Sequence, residues 1–146
     1  MTLPSRAPIR RAIAEGLETA TAGVSTPPAV YPYMRTGFDG ESPLIRVWTD
    51  SAGRPDSLEQ GLNSQFLVTV QVWVMVDERA PATVQEASED LLDEIEREIA
   101  TWIEANVSSD LWHSLRYDRN SFIQSAQIGP FAYLIEEIVL SVQATD

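Results

Sequence analysis

The stretch Gln65–Asp77, QFLVTVQVWVMVD, decides the fold. Phe66, Val68, Val70, Val72, Val74 and Val76 recur at every second position, the period of a strand with one buried face. The residues between them, Leu67, Thr69, Gln71, Trp73 and Met75, form neither a clean core nor a clean solvent face. Such a strand needs a cover on each side.

The cover for the valine side lies just downstream. Thr83-Val84-Gln85-Glu86 matches a capping box, in which a threonine hydroxyl takes an orphan amide and a glutamate reaches back. Val84, Ala87, Leu91, Ile95, Ile99 and Trp102 then follow at steps of three or four, with Leu92 and Ile103 widening the stripe. A helix of this length spans about 35 Å, enough to lie along the whole strand 66–76.

The remaining elements are shorter. Residues 8–22 read as a first helix, with Pro8 at its first position and Ile9, Ile13, Leu17 and Ala20 on a narrow stripe. Gly16 weakens that helix, and Gly23 with Pro27-Pro28 ends it. Residues 24–43 are mostly loop, with a possible edge strand at Val30–Met34. LIRVWT, 44–49, is a short strand, and a long polar connection 50–65 follows it. Residues 108–117 suggest a helical turn capped by Ser109 or Asp110. SFIQSAQI, 121–128, and YLIEEIVLSVQ, 133–143, close the chain as strands around a Gly129-Pro130 turn. A helical reading of 133–143 also fits, but its β-branched residues favour strand. In the strand reading Leu134, Ile138, Leu140 and Val142 share a face that Glu136 interrupts.

The expected architecture is one α+β domain over residues 1–146. It has a mainly antiparallel four-stranded sheet, the long helix on one face and an N-terminal helix.

Composition excludes several functions. There are no cysteines, so disulfides, thiolate metal sites and cysteine nucleophiles are absent. His113 is the only histidine, which removes triads and two-histidine zinc sites; beside Trp112 it reads as a partly buried helix residue. The glycines are scattered and there is no lysine, so no phosphate loop forms. Asp39-Gly40-Glu41 reads as a plain acidic turn, with a hard-cation site as the sharper alternative. The composition therefore points to no enzyme, no cofactor and no resident metal.

The ten basic residues, all arginine, face 22 acids for a net charge of −12, a balance that repels nucleic acid. No apolar run is long enough to cross a membrane, and the N-terminus lacks the apolar core of a secretory signal. The charge is also polarised. Arg6, Arg10 and Arg11 meet no acid within residues 1–11, whereas residues 83–106 carry eight acids and one base. The acidic helix face reads as solvated, or as a docking surface for a basic neighbour. Self-association would pair the two poles.

Two covers compete for the mixed face of strand 66–76: the first helix, or a second copy of the chain. Its tryptophans and arginine have the composition of an interface core, so Arg46, Trp48, Gln71, Trp73 and Met75 are the candidate subunit interface. In the loop 50–65, Arg54, Asp56, Glu59 and Gln60 are the candidate partner contacts.

The segments IRRAIAEGLETA, PLIRVWTD, the loop 50–65, FLVTVQVWVMVD, TVQEASEDLLDEIEREIATWI and FAYLIEEIVLSV, in this order, resemble the tail terminator (tail completion) proteins of long-tailed bacteriophages. The resemblance implies a structural protein forming a homo-oligomeric ring, expected to be a hexamer. Such a ring caps the tail tube, stops its polymerisation and presents a docking surface to the head connector or stopper protein. It implies assembly in the host cytoplasm, residence in the virion tail, and no catalytic residues. Another head–tail connector, neck or tail-tube protein is the nearest alternative. A small-molecule-binding domain with a pocket under the tryptophans is the more distant one.

Overall fold

A computed structural model describes residues 4–38, 40–53 and 63–145. The central strand β3, Asn63–Val76, pairs antiparallel with β2, Leu44–Gly53, on one side and with β6, Phe131–Thr145, on the other. Phe66, Val68, Val70 and Val72 are fully buried and Val74 nearly so, as their alternation requires. They pair with Val142, Leu140, Ile138, Glu136 and Leu134 of β6, so the last segment is strand and Glu136 sits on the valine side.

The sheet is six-stranded and mixed, in place of the expected four antiparallel strands. Its order is β1-β2-β3-β6-β4, with β5 also on β6. The two additional strands have little sequence in which to show a period. β1, Ala29–Tyr31, joins parallel to β2. β4, Ser114–Tyr117, replaces the expected helical turn at 108–117. There the His113 amide donates to the Gln143 carbonyl and the Leu115 amide to the Val107 carbonyl, each at 2.9 Å. β5, Phe122–Ile128, pairs antiparallel with the other half of β6, so β4 and β5 share one edge.

Both helices lie on the valine side. α2, Ala82–Ala105, presents Leu92, Ile95, Ile99 and Ile103 to the sheet. Its start corrects the capping-box expectation. Pro81 holds the cap position, no side chain caps the helix, and Thr83 lies inside the first turn. Gln85 donates to the carbonyls of Glu78 and Ala80 instead. Val84 and Ala87 face solvent, because the first turns of α2 overhang the core.

α1, Arg6–Thr21, buries Ile9, Ile13, Ala14 and Leu17 against α2, β1 and β2. It begins two residues before Pro8, which is therefore its third residue. It adds to the valine-side core and leaves the opposite face alone, which settles the first of the two covers considered above.

The β2–β3 hairpin runs further than the 44–49 strand suggested, to Gly53↔Gln65, with a bulge between Thr49 and Ser51. Arg54, Asp56, Glu59 and Gln60 lie outside the described residues.

Candidate interaction surface

Cross-strand register builds the second sheet face. Arg46 of β2 lies opposite Gln71 of β3, and Gln71 lies opposite Glu137 of β6. The side chains follow this register as a polar ladder. Arg46 Nε donates to Gln71 Oε1 at 2.8 Å, and Gln71 Nε2 donates to Glu137 Oε1 at 2.8 Å. Gln71 Oε1 also accepts the Trp73 indole N–H at 3.0 Å. A side-chain amide can do this because it both donates and accepts.

The Arg46 guanidinium lies 5.1 Å from the Trp48 and Trp73 ring centroids and 5.5 Å from that of Phe38, within cation–π range. Burial lowers its pKa from the ordinary arginine value, against the opposing charge of Glu137. Its Nη1 donates to the Arg35 carbonyl at 2.8 Å, which ties the 32–43 loop to the sheet.

That loop covers the tryptophan. Phe38 is buried and meets Trp73 edge-to-face at 4.6 Å, while Tyr133 meets the same indole at 5.3 Å. Trp73 is 5% exposed and Gln71 8%. Of the candidate interface residues, Trp73 and Gln71 are buried within the chain itself, while Trp48, Arg46 and Met75 stay partly exposed. Phe38 and Tyr133 pack directly against the Trp73 indole. Phe38 was missed in the sequence because a lone aromatic in a loop has no period. Its only signal was its place between Gly37 and the acidic turn.

The acidic turn itself is occupied locally. The Tyr31 hydroxyl donates to Glu41, a bond that raises the tyrosine pKa, and Arg35 pairs with the same carboxylate at 3.8 Å. Gly40, at φ +80°, lies against the Phe131 ring, where a Cβ would come within 2.8 Å. Asp39 lies outside the described residues. Among the described residues, no group of three His, Asp or Glu side chains is placed to hold a metal ion. His113 is exposed beside the buried Trp112, in the approach to β4 and not on a helix.

A second polar site lies at the β4–β5 edge. Glu136 is 4% exposed and accepts the Ser121 hydroxyl at 2.7 Å. Burial raises its pKa, Glu96 and Asp93 of α2 raise it further, and the Ser121 bond opposes them. The Tyr117 phenol is pushed up to about 12 by burial, then by Glu96, Glu136 and Glu104. A groove of about 630 Å³ opens above these groups, lined by Glu96, Ala100, Tyr117 and residues 118–121.

β5 forms the outer rim of this edge. It is exposed at every position except Ala126, with Phe122 at 47%, Ile123 at 52% and Ile128 at 40%. Residues 122–128 carry no charge and no proline, the devices by which exposed edges are normally blunted.

No protein-family model matches this chain, and no curated protein matches it significantly.

Proposed function

We propose that this chain is a structural ring subunit, the tail terminator of a long-tailed bacteriophage. In this reading copies of the chain close into a ring, expected to be a hexamer, on the end of the tail tube. The ring stops tube growth and presents a surface to the head connector. The order of the segments resembles that family, and one structural observation supports a protein built to sit against others. The β5 edge keeps Phe122, Ile123 and Ile128 in solvent with no charge to guard them. A monomer working alone has no use for an open apolar edge, which invites aggregation. Because Trp73 is covered by Phe38, Arg46, Trp48 and Met75 are the candidate interface residues left partly exposed for a contact on the second face.

The test is tube assembly. Tail-tube protein of the cognate phage is polymerised with and without this chain, and tube lengths are read by electron microscopy. A capping subunit shortens the tubes in proportion to its concentration and appears at their ends. Incorporation along the tube would favour the tail-tube alternative. Unchanged tubes with no bound chain would reject the terminator reading.

A further inference from the structure

The two lateral edges of the sheet are opposites. At one edge, β5 is open and uncharged, and the groove behind it is lined by Glu96, Tyr117, Asp118 and Arg119, the last paired with Asp118, while Asp93, Glu104 and Glu136 add negative charge close by. At the other edge, β1 is three residues long and flanked by Pro27, Pro28 and Pro32, which cannot donate to a ladder. α1 packs over that edge and carries Arg6, Arg10 and Arg11. Among the described residues none of these arginines has an ion-pair partner, and Arg10 Nε is buried without a hydrogen bond. Tyr33 and Met34, directly after β1, are 50% and 51% exposed.

Each helix also bears charge against its own dipole. The first turn of α1 has Arg6 and no acid, and the last turn of α2 has Glu104 and no base. Both arrangements cost the isolated chain stability. Each is relieved by a neighbour of opposite charge.

We propose that the β4–β5 edge and its acidic groove receive the α1–β1 edge of a second copy of this chain, head to tail. The arginines of α1 then face Asp93 and Glu96, and Tyr33 and Met34 face the apolar rim of β5. A two-fold contact of β5 with β5 would instead bring two acidic grooves together, with like charges opposed. A head-to-tail contact is heterologous, the kind that makes a ring when the rotation between copies closes. It presupposes the ring proposed above and names the surfaces that make it.

Reciprocal charge reversal tests this contact. One variant carries Arg6→Glu and Arg11→Glu, and the other carries Asp93→Arg and Glu96→Arg. Sedimentation velocity follows assembly, and circular dichroism checks the fold. Each variant alone should need about tenfold or more protein to assemble than the wild type. An equimolar mixture should assemble like the wild type, because each acidic edge then meets a basic one. If the wild type assembles and either variant does so equally well, this contact is wrong while the ring stands. If both variants are impaired and the mixture is not rescued, the two edges do not meet. A wild type that never assembles removes the ring itself. Should a double variant unfold, the exposed single changes Arg11→Glu and Asp93→Arg decide by the same mixing.

Discussion

Gly16 of α1 lies directly against Trp102 of α2: a Cβ at Gly16 would come within 2.2 Å of the indole. The glycine is a notch that lets the two helices meet. Trp102 also meets Trp112 edge-to-face at 6.4 Å, a contact it would disturb by turning aside.

Gly16→Ala sets two effects in opposition. Helix propensity favours alanine by about 1 kcal/mol. Overpacking costs about 1–3 kcal/mol and more where the neighbour is held. The clash is deep, so the substitution should destabilise the chain by about 1–2 kcal/mol net. Urea unfolding measures this, and a stabilised variant would show that Trp102 turns aside freely.

Phe38→Ala should cost about 3–5 kcal/mol, the range for removing a buried aromatic ring. It should also shift the Trp73 emission to longer wavelength, because the indole becomes wet. A loss below about 1 kcal/mol with unchanged emission would mean that the 32–43 loop does not cover Trp73 in solution.

Gln71→Ala should destabilise by about 1–3 kcal/mol, since it strands the buried Trp73 Nε1 donor and, at smaller cost, the half-buried Arg46 Nε. Gln71→Glu keeps the acceptor but loses the donor to Glu137 and opposes two carboxylates, so it should lose stability as well. A loss below about 0.5 kcal/mol for Gln71→Ala would argue that the ladder is held by packing alone.

Glu136 gives the stability a pH dependence. Its folded-state pKa is raised, so the folded chain holds a proton that the unfolded chain has already released. Its contribution is therefore present at low pH and is lost as pH rises from the ordinary carboxylate value through the raised one. Glu136→Gln should flatten this slope and stabilise the chain at neutral pH. A variant less stable at neutral pH than the wild type would mean that the ionised carboxylate is favourably held.

The sequence shows the fold where period is long and unbroken. The valine alternation of β3 and the Leu92-Ile95-Ile99-Ile103 stripe of α2 repeat often enough to identify both elements and their contact. β4 escaped because one inward residue, Leu115, makes no period. The capping box failed because the helix already starts at Ala82, with Pro81 at the cap, which places Thr83 inside the first turn. Gly16 looked like a weakness because its role depends on a tryptophan 86 residues away. At the candidate surface, the sequence identified the Arg46–Gln71–Trp73 grouping, and register brought those residues together. It could not show that Phe38 covers them, or that the β5 edge is the more open surface. Both depend on how distant segments lie side by side.

Sedimentation velocity of the wild-type chain over a wide concentration range, at low and at physiological salt, tests the ring most directly. Opposed charge at the contact predicts a single closed species several times the monomer mass, favoured at low salt. A chain that stays monomeric at every concentration in both salts, or that grows into an open-ended series of polymers, would contradict it.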